Sequence, residues 1–159
     1  MSNIYSVLSE LKINYEKYEH PAVFTVEAAE KYDKGIKEAR NKSIFLRNKK
    51  GESYYLVVTL GSKRLDLKGI ATFLGESKLS FGSPEKMMEY LGLTPGSVSP
   101  FGLINDVNKK VIVIIDEDLM KYKILGFHPN INTATLIVKT EDFKRFLELT
   151  GNNIMYKKL

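Results

Sequence analysis

Five of the sixteen residues at 91–106, LGLTPGSVSPFGLIND, are glycine or proline. Glycine admits backbone angles and close approaches that a Cβ blocks, and proline fixes φ while removing an amide donor. A run punctuated this densely is a shaped, ordered loop, and it presents backbone amides to whatever lies against it. Its simplest use is a tight connection between a helix and a strand. A second run, GFHPNINTATLIV at 126–138, sets His128, one of two histidines in the chain, beside a proline, two asparagines and two threonines before turning into an apolar strand. Two polar loops of this kind feeding strands point to a site built from loops on a rigid scaffold.

The scaffold is legible as a pattern of starts and stops. A first helix capped by Ser2 carries Ile4, Leu8 and Leu11 on one face, and 14–19 reads as a short strand. Thr25 can cap a helix through Val26, Ala28 and Ala29. Residues 44–47 and 54–60 are strands of β-branched and aromatic residues joined by the turn Asn48-Lys49-Lys50-Gly51. Asp66 caps a helix through Leu67, Ile70, Ala71 and Leu74. Ser83 followed by Pro84 and Glu85 starts another, which stops at Gly92. Residues 111–115 and 134–138 read as buried strands. Thr140 caps a last helix that ends at Gly151, with 154–156 a final strand. Strands and helices mix without strict alternation, which predicts an α+β fold: a mixed sheet with helices packed outside. The length of 159 residues fits one domain, expected to span 1–159.

Composition narrows the chemistry. The chain has no cysteine, which excludes disulfides, thiolate catalysis and cysteine-held zinc. The longest strongly apolar run, 111–115, is far shorter than a membrane span, and the first sixteen residues lack the basic start and apolar stretch of a secretory signal; the cytoplasm is the expected location. The net charge of +5 is segregated: residues 31–68 hold eleven Lys or Arg against four Asp or Glu. A basic face attracts phosphates without reading sequence, and a scatter of solvated lysines gives the same count. Asp116-Glu117-Asp118 resembles a carboxylate cluster, but its place after a buried strand marks it as a turn and helix cap. No metal or cofactor is expected.

Gly96-Ser97-Val98-Ser99-Pro100 matches the GxxxP loop of the prolyl-tRNA-synthetase-associated, YbaK-like editing domain family. HPAVFTVEAA from His20, NKSIFLRNKKG from Asn41, KRLDLK from Lys63, LSFGSPEKMMEYLGLTPGSVSPFGLIND from Leu79 and GFHPNINTATL from Gly126 resemble the family in order across nearly the whole chain. GxxxP alone is a weak signal; the ordered blocks are a strong one. The resemblance implies a mixed, curved sheet surrounded by helices, and a free-standing protein that hydrolyses the ester of mischarged tRNA in trans. It implies an essential cation at Lys42, at the start of a strand, followed by Ser43 where relatives often carry asparagine. It puts Phe24, Thr25 and Val26 in the amino-acid pocket, His128 at the pocket rim, and Ser97, Val98, Ser99, Pro100 and Asn132 against the substrate. The amides around Gly96 would stabilise the tetrahedral oxyanion of an already activated ester, so no acid–base triad is needed. His20 shapes the turn into the pocket segment. Lys63 and Arg64 are candidates for acceptor-stem phosphates, or form a solvated turn.

The resemblance therefore gives an aminoacyl-tRNA deacylase acting on tRNA for proline, with alanine as the amino acid removed and prolyl-tRNA synthetase as a candidate partner. Cysteinyl-tRNA for proline is the alternative substrate. A catalytically silent tRNA-binding or regulatory protein on the same fold is the alternative class.

Overall fold

The computed structural model describes residues 3–20 and 41–159. Ser2, Phe24, Thr25, Val26 and the helix expected after Thr25 lie outside the described residues. Among the described residues the order is α1 (Ile4–Glu10), β1 (Glu16–Glu19), β2 (Asn41–Asn48), β3 (Tyr54–Leu60), α2 (Leu67–Leu74), β4 (Leu79–Phe81), α3 (Pro84–Leu91), a 3-10 segment (Pro100–Asn105), β5 (Val111–Asp116), a second 3-10 segment (Glu117–Lys121), β6 (Ile124–Phe127), β7 (Ala134–Lys139), α4 (Thr140–Thr150) and β8 (Ile154–Lys157).

The strands form a five-stranded mixed sheet, β4-β2-β3-β5-β8, and a three-stranded antiparallel one, β1-β7-β6. In the larger sheet β2 pairs antiparallel with β3 and β4, whereas β3-β5 and β5-β8 are parallel. Parallel strands covered on both faces read as continuous apolar runs, and β3 (YYLVVTL) and β5 (VIVIID) do so. Period-two alternation splits them between two cores. Tyr54, Leu56 and Val58 join Phe45, Val113 and Ile115 under α1, α3, α4 and the small sheet. Tyr55 and Val57 join Leu46, Ile114 and the α2 residues Ile70 and Ala71 on the opposite face. Each fully buried aliphatic side chain contributes about 1.5–3 kcal/mol, so this central pair serves both cores at once.

Helix boundaries follow from local chemistry. Asp66 accepts from Gly69 N, and Ser83 accepts from Lys86 N ahead of Pro84. Gly75, Gly92 and Gly151 close their helices with left-handed φ. Two expected caps are corrected. The first helix is capped by Asn3, whose side chain accepts from Tyr5 N. Thr140 is the first residue of α4, and its hydroxyl donates to the Tyr122 carbonyl, so Lys139 stands at the cap with no side-chain bond. The strands β4 and β6 were not expected from sequence.

Candidate active site

The Gly/Pro run folds as a tightly bonded loop. Ser97 N donates to Thr94 O at 3.1 Å and Gly102 N to Ser99 O at 3.0 Å. Asn105 Nδ2 donates to Leu91 O at 2.9 Å and ties the two ends together. Gly96 has φ +93°, a conformation that side-chain-bearing residues rarely adopt. Gly102 lies so close to Leu93 that a Cβ would stand 2.6 Å from its Cδ1 and 3.0 Å from the Leu91 carbonyl oxygen. Ser99 is 1% exposed and its hydroxyl accepts from Phe101 N at 3.2 Å, so it holds the loop from within. Ser97 and Pro100 are buried, Val98 packs against the larger core, and Gly96 keeps partial exposure.

Three segments converge on 126–128. Asn41 Nδ2, at the start of β2, donates to Gly126 O at 2.6 Å. Phe101, directly after Pro100, meets Phe127 edge-on with ring centroids 5.5 Å apart. His128 Nδ1 lies 3.0 Å from Ala134 O. A carbonyl only accepts, so Nδ1 carries the proton in this bond. His20 stands beside it: ring centroids are 6.1 Å apart, and His20 Nε2 is 2.9 Å from Thr135 Oγ1. Asn132 is half-buried two residues before β7. Asn41 and His20 were not singled out as site residues from sequence. Asn41 stands beside Lys42, but a contact to a residue 85 positions away leaves no local signal.

Alternation along β2 separates neighbours. Asn41, Ser43 and Phe45 share the face of the glycine loop, while Lys42 shares the α2 face with Ile44 and Leu46. The Lys42 ammonium sits at the sheet edge, where it donates to the Lys63 carbonyl. The Lys63 ammonium is held in turn by Asp116 Oδ2 at 2.9 Å, Asp118 Oδ2 at 2.6 Å and Leu159 O at 2.9 Å. Arg64 next to it is exposed. Burial opposes the charged form of Asp116, but bonds from Lys63, Thr59 and the amides of Asp118 and Leu159 outweigh it and hold its carboxyl below the usual range. Asp118, bonded first to Lys121 and then to Lys63, is held down to about 2. The acidic triplet thus caps a 3-10 segment through Asp116, as its sequence position indicated, and also neutralises a lysine.

A family model of the aminoacyl-tRNA editing domain matches residues 20–146. The chain belongs to the aminoacyl-tRNA editing domain family. It is 41% identical over 145 residues to the prolyl-tRNA editing protein ProX of Acetoanaerobium sticklandii, covering 91% of this chain and 88% of that one. It is 33% identical over 150 residues to the prolyl-tRNA synthetase associated domain-containing protein 1 of Bos taurus, covering 92% and 87%. A solved structure provisionally described as a trans-editing enzyme for prolyl tRNA synthetase superposes with a TM-score of 0.72 at 23% identity, over 100% of this chain and 98% of the other, and shares the fold. Among the described residues no helix is long and apolar enough to cross a membrane.

Proposed function

We propose that this protein is an aminoacyl-tRNA deacylase that clears tRNA for proline of a wrong amino acid, with alanine as that amino acid. Membership of the editing family supports the reaction, and the names of these two relatives support the tRNA. The observation that carries the reading is the convergence of Asn41, the Gly96–Pro100 loop through Phe101, and the Phe127-His128 segment at one edge of the sheet.

Water attacks the carbonyl carbon of the ester joining the amino acid to the terminal ribose. The resulting oxyanion accepts from loop amides around Gly96, where the absence of a Cβ leaves room for the acyl group. The carbon–oxygen bond to the ribose then breaks, and the departing ribose oxygen takes the proton that the attacking water gives up. One such amide donor typically contributes about 10²–10³ in rate. Lys42, at the edge, offers its cation to the terminal phosphate or to the developing oxyanion, and His128 orients the ester. Ser97, Val98 and Pro100 shape the loop wall, and Asn132 completes the rim. Phe24, Thr25 and Val26 line the amino-acid pocket, and Arg64 with the basic stretch takes acceptor-stem phosphates. The whole of 1–159 serves as one editing domain, in the cytoplasm, where charged tRNA is found.

A synthetase pocket that fits proline cannot strongly exclude something smaller, because a missing methylene is worth only about 1–3 kcal/mol. A second pocket sized for alanine rejects proline by bulk. Deacylation of alanyl-, cysteinyl- and prolyl-tRNA for proline tests this: alanyl-tRNA is hydrolysed fastest and prolyl-tRNA is spared. Faster cysteinyl-tRNA cleavage overturns the substrate, and loss of all hydrolysis with retained tRNA binding leaves the silent binder.

A further inference from the structure

We infer that Lys63 and Asp116 are positioning residues for Lys42: together they form an ionic anchor that fixes the 60–63 turn, and the turn holds the Lys42 ammonium. The sheet register supports this. Ile44, Val57 and Ile114 form an apolar row across β2, β3 and β5 on the α2 face. Two residues on in β3 and β5, and two back in β2, the row becomes Thr59, Asp116 and Lys42: Lys42 pairs with Thr59 in register, and the Thr59 hydroxyl donates to Asp116. Asp116 is 0% exposed, accepts from Thr59 Oγ1 at 2.6 Å, and pairs with Lys63. A carboxylate so buried persists only with partners, and removing one partner leaves an uncompensated charge.

Lys63 has no such need of its own. It sits in the turn after β3, with its amide donating to Leu60 O at 3.1 Å. Its side chain reaches back to Asp116, Asp118 and the Leu159 carbonyl, which pins the turn to the ends of β5 and β8. Its own carbonyl then stands where Lys42 Nζ donates. A lysine stem has four rotatable bonds and a strongly hydrated head, so without an anchored acceptor its ammonium samples many positions. The role is distinct from a phosphate contact, for which the Lys63 ammonium would have to leave two carboxylates.

The rate arm rests on the deacylase reading; a second arm does not. Lys63→Met, Lys63→Arg and Asp116→Asn are compared with the parent for fold by circular dichroism, for single-turnover deacylation of alanyl-tRNA, for binding of uncharged tRNA across a salt series, and for Lys42 reactivity by reductive methylation and mass spectrometry. A small misplacement of a reacting group costs up to about 10²-fold, so Lys63→Met is expected to lower the rate about 10- to 100-fold. Its tRNA affinity and salt slope stay at parent values, and Lys42 methylates faster. Lys63→Arg, which can still bridge both carboxylates, recovers much of the rate and the slow methylation. Weaker tRNA binding with a shallower salt slope and an unchanged or raised rate overturns the inference, as does unchanged Lys42 methylation in folded Lys63→Met. If the parent hydrolyses none of the aminoacyl-tRNAs, the deacylase reading fails, and the methylation arm still decides the anchor. If Asp116→Asn does not fold, the two Lys63 variants decide it.

Discussion

The two faces of one sheet edge are held by different forces. On the glycine-loop face, order comes from short-range backbone bonds, buried hydroxyls and rings: Ser99 on Phe101 N, Asn105 on Leu91 O, and Phe101 against Phe127 and Phe146. On the α2 face it comes from charges: Lys63 between Asp116 and Asp118, with Lys121 on Asp118 at 2.8 Å. Neutral bonds and packing respond little to salt or pH, whereas partly exposed ion pairs respond to both. The loop and the lysine pair are thus each fixed by the means that suits it, one by neutral bonds and packing and the other by charge.

The largest effect should come from the charged side. Lys42→Ala is expected to lower deacylation about 10²–10³-fold with the fold intact, the scale of losing one group that meets developing charge. A folded variant with near-parent single-turnover rates would confine catalysis to the loop face. Gly96→Ala comes next. A Cβ at φ +93° costs about 1–3 kcal/mol of strain and shifts the amides, so the rate should fall further than that strain alone lowers Tm. If calorimetry shows the variant unfolded, the loop is a structural connection only. Gly102→Ala tests packing without touching the amides around Gly96. Overpacking against Leu93 and the Leu91 carbonyl is expected to cost about 1–3 kcal/mol. Each kcal/mol should lower Tm by about 2–4 °C; an unchanged Tm would mean that the loop has slack.

The smallest effect is on acid stability. The folded Asp118 carboxyl lies at about 2, below its unfolded value of about 3.9. Its contribution is therefore present above about pH 4 and lost as pH falls toward 2. Asp118→Asn should flatten the fall of Tm across that window and leave the loop face unaffected, as melting curves at a series of pH values would show. An acid limb identical to the parent's would remove the electrical contrast between the faces.

Much of this was legible in the sequence where the signal is local. Asp66, Ser83-Pro84, Gly92 and Gly151 marked helix ends because caps act within a few residues. The runs at 54–60 and 111–115 marked the central strands because burial on both faces fills nearly every position with an apolar or aromatic side chain, Thr59 excepted. The three-residue β4 and four-residue β6 were not legible, since each is ordered by its partner strand and too short to show a period. In the site, the shaped loop and His128 stood out by composition. Asn41 on Gly126 and Lys63 on Asp116 did not, because both join residues more than fifty positions apart. The basic stretch suggested a phosphate surface for Lys63; only the fold reveals the two carboxylates that already occupy its ammonium.

The parallel pairing of β5 with β8 has a consequence for how the molecule assembles. Val113 meets Ile154, and only when β8 is in place does Leu159 reach Asp116 through its amide at 3.4 Å and Lys63 through its carbonyl. Closing a long loop precedes the reward of the contacts it makes, so such a pairing forms late. Folding should therefore reach its compact, tyrosine-quenched stage before the ionic cluster closes, and editing activity should return after the fluorescence signal in a refolding time course. Simultaneous recovery would place β8 in the folding nucleus; a lag makes catalytic competence the last property the chain acquires.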